Sequence, residues 1–256
     1  MIYKRVAARL RAQDWVAILI EIGIVVIGVF IGTQVSNWNA DRLERVETRR
    51  MLAQLRPELL GIIDFCTSTR DYYKITRRYA GIALAGWKHD PAVDDRAFVI
   101  AAYQASQISG SSTNNSTWAT IFGAERLRTI DDPEIRRGLS SLMSVDNSQI
   151  SILAVDTPYR RNVRRIIPLD IQDAIRARCG DVTAAGRPNV FFLPNDCPLA
   201  ISLVAAAAAA AALRSHPELA NDLQWHVAAV AAFLTNLETA EATARALQHD
   251  ISASGQ

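Results

Sequence analysis

VAILIEIGIVVIGVFIGT, residues 16–33, is apolar throughout apart from Glu21, and it soon gives way to the polar SNWN of residues 36–39. As a helix, these 18 residues cover ~27 Å at ~1.5 Å per residue, close to the ~30 Å hydrocarbon core of a bilayer. Trp15 and Trp38 bracket the run. On a helix they stand roughly 35 Å apart, a spacing that suits aromatic rings at opposite headgroup layers. The stretch therefore predicts a membrane-spanning helix with the lipid bilayer as its partner. A cleaved signal peptide would have a shorter apolar core and a small-residue exit. Thr33–Ala40 offers no such exit. A buried helix of a soluble protein is the other alternative. Apolar character on every face, with Arg before the run and Trp-Asn after it, argues against that.

Outward from the anchor, the chain continues as ADRLERVETRRMLAQLRPELLGIIDF (40–65), rich in charge pairs and helix formers, with no Gly or Pro before Pro57. Leu52, Leu55, Leu59, Ile62 and Cys66 recur at three- and four-residue steps, as do Tyr72, Ile75, Tyr79 and Ile82. The anchor helix is thus expected to run on as a stalk to about Gly86, bent at Pro57. Asp94 is expected to cap a helix over 95–108, and Asp132-Pro133 to open another. That second helix would reach Arg165 with a break near Pro158. Gly110–Ser116 reads as a loop before a short helix, TWATIFGAE (117–125). VFFL (190–193) is the strand-like run, and Ala-rich helices are expected over 199–213 and 216–250, the second opened by a Ser215–Glu218 capping box. The eight alanines at 205–212 are too short and too weakly apolar for a second span, and suit close helix packing. The expectation is an all-α protein: a tail at 1–14, a transmembrane anchor at 15–38, a stalk helix at 39–86 and a helical bundle at 87–256.

Charge narrows the function classes. Residues 1–35 carry Lys4, Arg5, Arg9 and Arg11 against Asp14 and Glu21, while the remaining 24 basic and 24 acidic residues cancel (28 − 4 and 26 − 2). The neutral remainder lacks the basic footprint of a nucleic-acid binder. Basic residues flank the anchor equally, four before it and Arg42, Arg45, Arg49 and Arg50 after it, so the positive-inside rule alone gives a tie. The short basic tail favours a cytoplasmic N-terminus. Cys179 and Cys197 flank a loop that a disulfide would staple in an oxidising compartment, which favours a periplasmic bundle. Two unpaired thiols are the alternative. Cys66 reads as a buried apolar residue.

Glu21 costs ~2.5–3.5 kcal/mol if held at the centre of a bilayer and less near its edge. At 100° per residue, Glu21, Val25, Gly28, Gly32, Val35 and Asn39 share one helix face, within about 40° of a line. Gly28-x-x-x-Gly32 is a close-approach motif on that face. The pattern suits a helix–helix interface with a second copy or with another membrane protein. The alternative is Glu21 snorkelling to the near surface with incidental glycines. Arg160, Arg161, Arg164 and Arg165 read either as an anion or headgroup patch or as a solvated cluster paired with Asp156 and Asp170. His89, His216, His226 and His249 show no metal-ligand spacing, and Asp94/Asp95 and Asp131/Asp132 stand at helix caps. No G-x-S-x-G, phosphate loop or dinucleotide turn is present, and no cofactor is expected. These features favour a non-enzymatic interaction or sensing module. A membrane-tethered hydrolase or transferase, its site assembled from distant residues, is the alternative.

IEIGIVVIGVFIGTQVSNWNADR (20–42) resembles the anchor of a family of uncharacterised bacterial single-pass membrane proteins, which reads G-E-I-x-L-V-V-I-G-I-L-I-A-L-Q-x-N-N-W-N-E. Glu21, Ile22, Val25, Val26, Ile27, Gly28, Ile31, Gln34, Asn37, Trp38 and Asn39 match, while Ile20, Ser36 and Ala40 depart from it. STWATIFGAERLRTIDDPEIRRGLSSLM (116–143) is similar to the family's Y-x-x-L-x-x-S-G-x-L-x-x-I-x-x-x-x-L-R-x-x-L. There Trp118 and Phe122 take the aromatic and apolar places, Gly123 the turn glycine, and Arg136 and Leu139 open the next helix. The resemblance implies a signal-anchor in a bacterial inner membrane and carries no activity.

Overall fold

The structure, a computed structural model, describes residues 15–111, 126–144 and 157–254. The tail at 1–14, most of the loop after Gly110, the expected helix at 117–125 with Trp118, Phe122 and Gly123, and Asp156 lie outside the described residues. Within them the protein is all-α, with seven α-helices and one two-stranded antiparallel hairpin. The helices are α1 (Trp15–Trp87), α2 (Asp95–Gln104), α3 (Pro133–Ser144), α4 (Pro158–Ile166), α5 (Leu169–Cys179), α6 (Leu203–Arg214) and α7 (Glu218–Ser254). The strands β1 (Val182–Ala184) and β2 (Arg187–Phe192) lie between α5 and α6, and a 3₁₀ turn covers Arg126–Thr129. The chain divides into two compact units, Met1–Met51 and Leu52–Gln256.

In the first unit, the described part of α1 is one helix most of whose apolar positions are exposed. In the second, α1 turns inward. Leu55, Leu59, Cys66, Tyr72, Tyr73 and Ala83 are almost wholly buried. The expected single stripe is thus broader: Tyr73, Thr76 and Ala80 are buried beside Tyr72 and Tyr79, because α1 is packed on more than one side. The Tyr73 ring meets Phe233 of α7 edge-on, and Trp87 meets both Phe98 of α2 and Tyr159 of α4. On α7, Glu241 receives Arg70 of α1 at 2.8 Å and Arg245 of its own helix at 2.7 Å. The helix runs through Pro57 unbroken. Pro57 and Ala53 are both exposed, so the carbonyl that loses its N–H partner is left to water.

Gly86 is where α2 approaches α1 closely, since a Cβ there would fall 2.2 Å from Phe98 Cδ2. The helix then ends in a Schellman-type turn: His89 N–H donates to Gly86 O at 3.2 Å and Asp90 N–H to Ala85 O at 3.0 Å. His89 occupies the left-handed position, φ 57°, which costs an L-residue roughly 1–2 kcal/mol. His89→Gly is therefore expected to stabilise the protein by about 1 kcal/mol, read as a rise in the urea midpoint. An unchanged or lower midpoint would contradict this account of the turn.

The caps follow the sequence in part. Asp94 accepts from Ala97 N–H at 2.8 Å, Asp132 from Glu134 N–H at 2.8 Å, and Ser202 from Ala205 N–H at 3.1 Å. Ser215 differs from expectation. Its hydroxyl turns back to Ala212 O at 2.7 Å, so it closes α6 and does not cap α7. Helix α6 also begins at Leu203, later than expected, because Ser202 caps it. Its buried alanines, Ala206, Ala209 and Ala210, let α6 lie against α2. VFFL contributes to β2, which pairs with the unanticipated β1 in the register Val182↔Phe192 and Thr183↔Phe191. Gly186, φ 73°, makes the turn. A Cys179–Cys197 disulfide brackets the hairpin, and Cys66 is a buried free thiol pushed up to about 12, chiefly by burial.

Candidate functional site at the end of helix α2

Two regions carry the residues singled out from the sequence. In the first unit, Glu21, Val25, Gly28, Gly32, Val35 and Asn39 lie on one unbroken helix and are exposed, as are Trp15 and Trp38. A Cβ at Gly28 or Gly32 would meet nothing within 4 Å. The helix is long and apolar enough to cross a membrane, and none of its most apolar 18-residue window is buried.

The second region is in the bundle. Helix α2 stops at Gln104, short of the expected Ile108, and its last carbonyls and side chains form a polar centre. Gln104 is fully buried and donates to Cys179 O at 2.8 Å, while Gln107 donates to Gln104 Oε1 at 3.3 Å. Helix α4 supplies the cations. The four arginines expected as one patch are split by the helix, since residues four apart share a face and neighbours do not. Arg161 and Arg165 are exposed. Arg160 and Arg164 are half-buried and turn to α2, not to Asp170. Arg160 donates to Ser106 O at 2.6 Å. Arg164 donates to Ser106 Oγ at 3.1 Å and to Gln107 Oε1 at 2.7 Å, with its guanidinium 4.8 Å from the Tyr103 ring centroid. Tyr103 in turn accepts from Arg176 at 3.2 Å, and Arg176 also bonds Asp173.

The electrostatics reflect this crowding. Burial, then the neighbouring Arg160 charge, holds the Arg164 guanidinium below its ordinary value. Asp181 accepts from the Tyr72 hydroxyl at 2.7 Å. Burial raises the Asp181 carboxyl despite that bond and the charges of Arg164 and Arg160. Tyr72 is raised by its own burial and then by the Asp181 charge.

On the other side of the same centre lies His226 of α7, 1% exposed. Thr157, at the cap position of α4, makes no side-chain cap bond, and its hydroxyl lies 2.6 Å from His226 Nδ1. His226 Nε2 has no partner in hydrogen-bond geometry, although the Ala105 backbone partly favours the protonated ring. Burial first, and Arg160 second, push His226 down to about 4, so the ring is neutral at pH 7. It lines a cavity of about 30 Å³ together with Tyr73, Thr76, Ala105 and Val230, room for one or two waters. A hydroxyl against an imidazole is the start of a nucleophile–base pair. Here both groups are buried, and no carboxylate is bonded to the second ring nitrogen among the described residues. In the structure the pair is a buried polar contact between the start of α4 and α7.

The sequence places Tyr72 only on the stalk stripe and His226 only among histidines without metal-ligand spacing, and Gln104 escapes it. The signal was faint but present: Gln104 sits inside AFVIAAYQASQ, where an apolar helix has no need of an amide. Among the described residues, no group of three or more His, Cys, Asp or Glu side chains is placed to hold a metal. No family model, curated protein or solved structure matches the chain.

Proposed function

We propose that this chain is a membrane-anchored helical interaction or sensing module. The observation that carries the reading is the unbroken helix α1, whose exposed apolar start is long enough to cross a bilayer and whose last turns are core of the bundle. A peripheral or soluble domain would have no use for a largely exposed, predominantly apolar run of 18 residues at the head of a core helix. The basic tail, the disulfide and the likeness of 20–42 to bacterial single-pass anchors support one crossing of the inner membrane, with the N-terminus cytoplasmic and the bundle periplasmic. The Glu21–Gly28–Gly32 face is the surface through which the helix meets a second copy or another membrane protein. Small residues there permit close approach, and a carboxyl in hydrocarbon gains from a partner.

Paired C-terminal fusions to a periplasm-active phosphatase and a cytoplasm-active fluorescent protein test the orientation. Phosphatase activity alone is expected, and fluorescence alone would reverse the topology. Crosslinking in membranes then tests the helix face. Glu21→Leu with Gly28→Ile is expected to abolish self-association or the capture of membrane partners. Retention of every contact would remove this interface.

A further inference from the structure

We infer that Arg160 and Arg164, with the end of α2, form a binding site for a small oxyanion of the phosphate class. The inference rests on the sensing reading above, of which it names the ligand chemistry. Half-buried cations are normally matched by carboxylates, because an unmatched charge in a partly desolvated place is costly. Among the described residues, neither arginine has a carboxylate within ion-pair distance; both spend their bonds on neutral oxygens of Ser106 and Gln107.

Those bonds use only some of the ten N–H donors of two guanidiniums. The arginines are also fixed in place: one carbonyl, one hydroxyl, one amide oxygen and the Tyr103 ring hold them on a single helix face. Planar donors already in position lose little freedom on binding, and their fork geometry matches a phosphate or carboxylate.

The charge balance agrees. Arg176 is paired with Asp173, leaving Arg160 and Arg164 against Asp181, which Tyr72 holds by hydrogen bond. Among the described residues the centre keeps a surplus of one positive charge (+2 − 1), and Arg160 and Arg164 repel one another. An anion bridging them relieves that repulsion. Arg161 and Arg165, exposed on another face of α4, share the helix but not the site.

The test is a titration of the full chain, in nanodiscs of zwitterionic lipid, with inorganic phosphate at constant ionic strength, followed by calorimetry. Saturable binding is expected for the native chain and for R161Q/R165Q. R160Q and R164Q should each weaken it at least tenfold. Absence of saturable binding to the native chain overturns the site, whether or not the variants fold. Equal weakening by R161Q/R165Q also overturns it, by showing diffuse surface charge. Repeating the titration in discs containing phosphatidylglycerol separates two sources of the same chemistry. Persistent phosphate binding assigns a soluble anion, and binding suppressed by the lipid assigns its headgroup. Membrane insertion, measured by fractionation, does not depend on any of these arginines, so loss of the site leaves the anchor reading standing.

Discussion

Acidification from pH 7 to pH 4 is expected to cost the bundle about 3 kcal/mol through His226 alone. The unfolded chain takes up a proton on this side chain near 6.5, whereas the folded chain resists until about 4. Between those values the unfolded state binds a proton that the folded state refuses, so stability falls as pH falls. Above 6.5 the ring is neutral in both states and the dependence vanishes; below about 4 both states are protonated and the loss is complete. The cause is structural: the ring is 1% exposed, its Nδ1 faces only the Thr157 hydroxyl, and the charge facing it is Arg160, of like sign. His226→Asn keeps a polar group near Nδ1 and carries no charge at any pH. The difference in stability between native and variant should therefore shrink by about 3 kcal/mol between pH 7 and pH 4, about 6–12 °C in melting temperature for a domain of this size. Carboxylates such as Asp181, whose carboxyl burial raises, are common to both proteins, so the difference isolates the ring. Parallel pH profiles would show that protonation of His226 is not penalised in the fold.

The contrast between His226 and the anchor explains how much of the protein could be read in advance. Residues 16–33 announce themselves because they form a long run of one residue class, the kind of run long and apolar enough to cross a membrane, and no tertiary context is needed to see it. The helix starts at Asp94 and Asp132 were equally legible, since a cap is a contact between residues two or three apart. Ser215 shows the limit of that logic. Its spacing to Glu218 suits a capping box, but the preceding helix presents the Ala212 carbonyl and takes the hydroxyl first. Of the polar centre, only the arginines of α4 were legible. The centre joins Tyr72, Gln104, Arg164, Asp181 and His226 across up to 154 positions (226 − 72), and no linear spacing encodes which side chains a bundle will bring together. The four arginines of α4 were visible as a group, but only the helix phase separates the pair that turns inward from the pair that faces water.

Reduction of the Cys179–Cys197 bond, or the double substitution C179S/C197S, is expected to destabilise the bundle by about 3 kcal/mol. The bond closes a loop across 18 positions, and releasing it returns that loop's freedom to the unfolded chain. What it encloses cannot hold itself together. A hairpin of two short strands is marginal alone. Beside the Tyr72–Asp181 bond, the enclosed loop is tied by Tyr79 OH on Asn195 O at 3.0 Å and by Phe191 N–H on Ser111 Oγ at 3.1 Å. The exposed Arg187–Asp64 and Arg78–Asp196 pairs, at 3.2 and 3.3 Å, tie it as well, each of these pairs worth well under ~1 kcal/mol. Only Ala184, Val190 and Leu193 are buried among the described side chains between the cysteines. The melting temperature should fall by about 6–12 °C in reductant, and hydrogen exchange should rise first in β1 and β2. The effect should then reach the polar centre, because Gln104 donates to the Cys179 carbonyl and Tyr72 to Asp181, on either side of Gly180. A melting temperature indifferent to reductant would mean that packing of Val190 and Leu193 suffices to hold the loop. In that case an oxidising compartment would no longer be favoured by the bundle's stability. If the shift is seen, the same chain held in a reducing compartment would lose both the hairpin and the anchoring of Asp181 beside Arg160 and Arg164, so the staple and the charged centre depend on one another.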